Sequence, residues 1–146
     1  DEYAADVVFV GAIKRPEDLM SGAYAFLLCS RHEGVPTVVL LASSLGLPIL
    51  ASDCKGGGLR QILGISEHLP ISEANEFNDD TKGLLLPIPE KSDADSIGSW
   101  VSAMRLIDGD VRKYQTLRSG ANSIYKAHGP DAGNKYWRSL VDQFLS

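Results

Sequence analysis

Cys29-Ser30-Arg31-His32-Glu33-Gly34-Val35-Pro36-Thr37-Val38-Val39-Leu40-Leu41-Ala42-Ser43-Ser44-Leu45-Gly46-Leu47-Pro48-Ile49-Leu50-Ala51-Ser52-Asp53 reads as the end of a strand, a polar loop, a helix and a second strand. The apolar run at 25–29 has the length and composition of a strand buried on both faces. It stops at Ser30-Arg31-His32-Glu33-Gly34, a polar turn whose glycine suits a sharp bend or a close approach to a ligand. Pro36 sits where a first helical residue would, because the N–H it lacks has no helical partner there. A helix over 37–45 follows, Gly46 closes it, and Pro48 leads into a strand at 49–52. Two buried strands joined by a helix make a right-handed βαβ unit, whose functional end is the loop at the strands' C-terminal edge. Residues 33–37 lie there. A helix start beside a glycine offers unpaired N–H groups and a partial positive charge, which suits an anion such as phosphate. Glu33 is then placed for the hydroxyls of whatever carries that phosphate; an ordinary loop acid near a helix start fits the same residues.

The stretch from Ser30 to Ala42, with Gly46-Leu47-Pro48-Ile49-Leu50-Ala51-Ser52-Asp53 after it, resembles the donor-site signature of retaining glycosyltransferases of the two-Rossmann-domain (GT-B) architecture. It is similar to the group 1 sugar transferases, among them mannosyl- and galactosyltransferases of polysaccharide synthesis. In that family a glutamate facing the donor sugar is followed, after seven residues, by a second that binds the ribose hydroxyls. Glu33 matches the first and is the expected catalytic-site acid. The second falls on Leu41, and leucine cannot accept a hydrogen bond from a hydroxyl. The resemblance further implies donor contacts from Ser30, Arg31, Gly34, Val35, Pro36 and Thr37, with Leu41 facing the ribose. It implies that the nucleotide base lies against the backbone of Gly11, Ala12 and Ile13, where an ordinary βα turn reads equally well. A further family glutamate, after the glycines, falls on Gln61.

Composition bounds the rest. A chain of 146 residues, 44% apolar and 23% charged, suits a single globular domain over 1–146 with a full core. A formal charge of -5, with no basic stripe interleaved with aromatics, argues against a nucleic-acid partner. Cys29 and Cys54 have neither metal-ligand spacing nor a disulfide framework, and Cys29 reads as a small core residue. No metal or cofactor is demanded by the residues present. There is no apolar run of membrane-spanning length and Asp1-Glu2-Tyr3 does not open a signal peptide, so a cytoplasmic protein is expected, with the inner membrane face as a family working place.

In chain order, residues 7–10 (Val-Val-Phe-Val) read as a first strand and Pro16 opens a short helix to about Tyr24, with Leu19, Met20 and Ala23 inward. Gly56-Gly57-Gly58 form a loop able to turn N–H groups toward a ligand. Lys55 and Arg60 beside it read as phosphate counter-charges or as solvated surface. Residues 64–82 are a polar excursion with room for one short helix, and 83–87 form the last strand. Three helices close the chain. Ser92 and Asp93 cap one carrying Ile97, Trp100, Val101, Met104 and Ile107; a second carries Val111, Tyr114, Leu117, Ala121 and Ile124; a third, after Pro130, carries Tyr136, Trp137, Leu140, Val141 and Phe144.

The expected fold is α/β, a Rossmann-like, mostly parallel sheet with flanking helices, lacking the first two strands of the family domain. The chain then represents a partial nucleotide-sugar-binding domain, separated from an N-terminal acceptor domain and inactive alone. Its partners would be a nucleotide-sugar donor, a saccharide or lipid-linked acceptor, and that missing domain. The strand at 25 would lose a neighbour, so either the first strand covers the edge or two copies pair across it. Two rival readings are a glycosyltransferase-like binding or scaffold module without donor chemistry, motivated by Leu41 and Gln61, and an unrelated nucleotide-binding α/β domain.

Overall fold

A computed structural model describes residues 6–75 and 77–145, with the side chains of Glu73, Ala74, Trp137, Leu140, Val141, Phe144 and Leu145 outside that description. Its centre is a three-stranded parallel sheet of β1 (Phe26–Leu28), β2 (Ile49–Ser52) and β3 (Leu84–Leu86), in the order β1-β2-β3. Parallel neighbours need a crossover. α2 (Thr37–Ser44) supplies it between β1 and β2; α3 (Gly58–Leu63) and α4 (Ile71–Ala74) lie between β2 and β3. α1 (Pro16–Met20) precedes the sheet, while α5 (Ala94–Gly109), α6 (Val111–His128) and α7 (Pro130–Leu145) follow it.

The strand period of two divides the core into two layers. Phe26 pairs with Ile49 and Leu28 with Ala51, and all four face a cluster that includes Val39 and Ala42 of α2, Leu59 and Ile62 of α3, and Ile124 of α6. Leu50, Leu84 and Leu86 face the other way, onto Trp100, Ala103 and Ile107 of α5 and Leu117 of α6. Trp100 also donates its indole N–H to the Pro87 carbonyl at 2.8 Å, so its one polar atom is satisfied where the ring is buried. α5 and α6 start at side-chain caps: Asp93 accepts from the N–H groups of Asp95 and Ser96, and Asp110 from those of Arg112 and Lys113. α6 comes so close to the chain before β3 that a Cβ on Gly120 would collide with the backbone of Thr81 and Lys82.

The two sheet edges differ. The Asn75 side chain accepts from the Leu85 N–H at 2.8 Å and donates to the Leu85 carbonyl, covering β3 as a short strand would. No described strand covers the outer edge of β1.

Several expectations need correction. Residues 7–10 form no strand; they run as exposed chain, Phe9 at 95% of its full exposure, so the first strand does not cover the β1 edge. A strand needs a neighbour to take its N–H and C=O groups, and nothing described lies beside this one. β1 is not buried on both faces: Leu27 is 40% exposed because α5 lies over β2 and β3 and leaves the edge strand open on that side. Cys29, two residues on and on the same face, is likewise exposed instead of in the core. α1 ends at Met20, well short of Tyr24, and of its three expected inward residues only Met20 packs on the core; Leu19 and Ala23 are exposed. Pro36 is the N-cap of α2, one position before the helix. On α5 and α6 the stripes are narrower than expected: Ile97, Val101 and Met104 of α5 are exposed, and so is Val111, the first residue of α6. Tyr136 on α7 is exposed, and the expectations for Trp137, Leu140, Val141 and Phe144 fall outside the described residues.

Candidate functional site

The predicted site residues gather where β1 and β2 end. Past the regular strands the two chains stay together: His32 and Lys55 form an isolated parallel bridge, and the Glu33 N–H donates to the Lys55 carbonyl at 3.2 Å. β2 likewise stays tied to β3, with the Asp53 N–H donating to the Leu86 carbonyl at 2.7 Å. Ser52, fully buried at the end of β2, aims its hydroxyl at the carbonyls of Leu28 (3.2 Å) and Ser30, so the strand end holds the start of the polar loop. Within that loop the Ser30 hydroxyl donates to Glu33 Oε1 at 2.6 Å. A donor bond to a carboxylate is among the stronger neutral-to-charged contacts, and it fixes one oxygen of Glu33.

The glycine loop lies directly under this turn. Gly56 and Gly57 have φ of 116° and 72°, open to glycine and strained for other residues. A Cβ on Gly56 would collide with the Glu33 carbonyl oxygen, and one on Gly58 with that of Gly34. The glycines therefore serve a close backbone approach that joins the two loops into one corner. Gly34 itself has open space where a Cβ would project.

Around the corner, Arg31, Gly34, Val35 and Thr37 are exposed, Ser30 and Glu33 half-buried, and Pro36 buried. Thr37 is the first residue of α2, a helix that turns Val39, Ala42 and Ser43 inward. Leu41, half-buried, lines a cleft of about 470 Å³ between α2 and the α6–α7 junction, together with Thr37, Leu40, Tyr125, His128 and Pro130. Gly11, Ala12 and Ile13 lie in the exposed chain before α1, with nothing within 4 Å of where a Gly11 Cβ would be. A second cleft of about 430 Å³, beside Gly64, Lys82 and Gly83, opens before the start of β3, at the other end of the strands from these loops.

Two further residues shape the corner, and Arg60 departs from both of its sequence readings. Arg60 is neither a phosphate counter-charge nor solvated surface. Its fork meets Asp53 through Nε–Oδ1 at 2.8 Å and Nη2–Oδ2 at 2.6 Å, and its Nη1 donates to the carbonyls of Ser66 and Leu69. The hydrogen bond to Asp53 raises its affinity for the proton further, so its charge is spent inside the protein. Cys54, buried beneath the loops, has its thiol pushed up by burial first and by the nearby Glu33 charge second. Ser52 and the Asp53–Arg60 pair were not singled out from the sequence as parts of the site. The available signal was a serine ending an otherwise apolar buried strand, since a buried hydroxyl needs a partner close by.

Among the described residues no helix is long and apolar enough to cross a membrane. Residues 1–86 match the family model of the glycosyl transferases group 1. EpsF of Bacillus subtilis, whose name carries an inferred glycosyltransferase role, is 35% identical over 69 residues, 47% of this chain and 18% of that protein. An uncharacterized glycosyltransferase of Methanocaldococcus jannaschii, MJ1059, is 38% identical over 58 residues, 40% of this chain and 14% of its own. The chain thus matches less than a fifth of the length of either relative. The family match takes in more than half of the chain, with both loops of the corner and all three strands: the chain belongs to the glycosyl transferases group 1 family.

Proposed function

We propose that this chain is the nucleotide-sugar donor-binding part of a retaining glycosyltransferase, a hexosyltransferase of polysaccharide or glycolipid synthesis. The observation that carries it is the Glu33 carboxylate, held by the Ser30 hydroxyl at 2.6 Å at the C-terminal edge of a parallel sheet, beside the start of α2. Ligands of open α/β sheets bind at that edge, and the helix start favours the phosphate of such a ligand. In this reading Glu33, Gly34 and Val35 meet the hexose, and Ser30, Arg31, Pro36 and Thr37 line its approach. Gly11, Ala12 and Ile13 would meet the base. Catalysis is positioning and stabilisation of the leaving diphosphate, and the acceptor, a saccharide or lipid-linked sugar, is held by a separate N-terminal domain. The working place is the cytoplasm or the inner membrane face, and a second copy can pair across the open β1 edge.

One observation favours a second reading. Leu41 stands in an apolar cleft beside Leu40, Tyr125 and Pro130, where no carboxylate is available for ribose hydroxyls, and Gln61 is exposed without charge. A binding or scaffold module that has lost donor chemistry accounts for both. Ligand-observed NMR of UDP, GDP and ADP sugars against the chain, Glu33→Gln and Leu41→Glu separates the two. The donor reading expects one sugar nucleotide to bind, competed by its free nucleotide and weakened several-fold by Glu33→Gln. Binding that appears only in Leu41→Glu favours the module.

A further inference from the structure

β1 ends at Leu28, opposite Ala51, and the next bridge to the β2 chain joins His32 to Lys55. Between those two points Ser52 spans the chains with its side chain, its hydroxyl reaching the Leu28 carbonyl at 3.2 Å and the Ser30 carbonyl beyond it. Ser52 is fully buried, in a strand whose other residues, Ile49, Leu50 and Ala51, are buried and apolar. A hydroxyl that far from water costs stability unless it is bonded, so these two carbonyls determine where it sits. The bond also fixes the backbone of Ser30, the residue whose own hydroxyl donates to Glu33 Oε1 at 2.6 Å. Glu33 is anchored a second time by its N–H, which donates to the Lys55 carbonyl at 3.2 Å. Its other carboxylate oxygen, Oε2, takes no hydrogen bond or ion pair among the described residues, and the side chain is half-buried.

A carboxylate with one oxygen taken and its backbone tied has little freedom left, so the direction of the second oxygen is set before any ligand arrives. We infer that Ser52 is a positioning residue: its hydroxyl, buried out of reach of any ligand, aligns Ser30, and Ser30 aligns Glu33 so that Oε2 is the oxygen presented to a hydroxyl of the bound sugar. The inference rests on the donor reading above for the identity of that sugar, while the alignment of Glu33 is tested independently of it. A carboxylate held in this way meets a pair of neighbouring hydroxyls through one oxygen instead of bridging them with two, so the direction in which a hydroxyl points decides whether it is accepted. A serine that merely filled the end of β2 would alter stability and leave Glu33 where it is.

The test joins titration of UDP, GDP and ADP sugars to carbon NMR of the chain labelled at its glutamate carboxyl carbons, the Glu33 resonance being assigned by its loss in Glu33→Gln. The variants are Ser52→Ala, Ser30→Ala, Ser30→Thr, Ser52→Ala combined with Glu33→Gln, and Ser123→Ala, an exposed serine of α6, as the control. Ser52→Ala and Ser30→Ala are expected to move the Glu33 resonance in the same direction, Ser30→Thr to restore it and Ser123→Ala to leave it in place. Affinity for the sugar nucleotide falls roughly fivefold in Ser52→Ala, the equivalent of one hydrogen bond. Added to Glu33→Gln, Ser52→Ala costs little more, because its effect passes through Glu33. Where Ser52→Ala fails to fold, Ser52→Cys, similar in volume but a weak donor, carries the same expectations. A Glu33 resonance indifferent to Ser52 overturns the inference, and so do affinity losses that simply add in the combined variant. A resonance that moves in a chain binding no sugar nucleotide leaves the alignment standing and removes the donor reading. Sugar-nucleotide binding with an unmoved resonance does the reverse.

Discussion

Cys54 and Gly58 show how much of the corner hangs on single atoms. The Cys54 thiol is pushed up by burial and by the Glu33 charge, so at pH 8 less of it is the reactive thiolate than for an ordinary cysteine. Raising the pH through and beyond the ordinary thiol range increases the thiolate fraction, so alkylation by iodoacetamide, followed by mass spectrometry, is expected to be slow at pH 8 and to keep accelerating above pH 9. Glu33→Gln removes one of the two main causes and is expected to speed it. Gly58 is required for a different reason. A methyl group there meets the Gly34 carbonyl oxygen, which cannot retreat without parting the two loops. Gly58→Ala is expected to cost about 1–3 kcal/mol by urea denaturation. The run of glycines was visible in the sequence; that two of them answer to Glu33 and Gly34 was not, since those residues are more than twenty positions away.

At the scale of elements, polar groups decide more than the apolar pattern does. α3 and the chain after it are tied to the end of β2 by Arg60, whose side chain and that of Asp53 are only 12% and 20% exposed. Arg60→Ala leaves Asp53 and two carbonyls without their partner and is expected to cost about 2 kcal/mol. Phe9→Ser, in the exposed stretch at 7–10, is expected to change stability by no more than about 0.5 kcal/mol, read from the same denaturation midpoint. α2 carries the opposite case. Ser43 is fully buried and its hydroxyl has no partner among the described residues, so Ser43→Ala is expected to stabilise the protein by up to about 1 kcal/mol. The helix itself was readable from Pro36 to Gly46, because a proline at one end and a glycine at the other punctuate it. Which of its residues would bury a hydroxyl depends on α6, which lies far along the chain.

For the molecule as a whole, the difference between the two sheet edges matters most. β3 is covered by the Asn75 amide, while β1 presents an uncovered edge with Leu27 on an open face beside it. Such an edge is a template for another strand. Pairing of two copies across it is expected to appear as concentration-dependent association in sedimentation velocity, and Leu27→Lys to reduce it; a monomer at all concentrations removes this proposal. The exposed stretch at 7–10 belongs to the same problem. Its composition is that of a strand, yet composition supplies only the side chains, and a strand also requires a neighbour.

The sequence by itself determined the α/β class, the central βαβ unit, the strand at 49–52 to the residue, the cap at Asp93, and the family. These features are local, or repeat with the short periods of helix and strand, so they can be read from neighbouring residues. Only the tertiary structure decided that residues 7–10 stay unpaired, that Cys29 faces outward and Cys54 inward, and that Arg60 is consumed by Asp53. Each of those outcomes depends on which distant backbone or charge comes to lie within a few ångströms, and that is set by packing between elements.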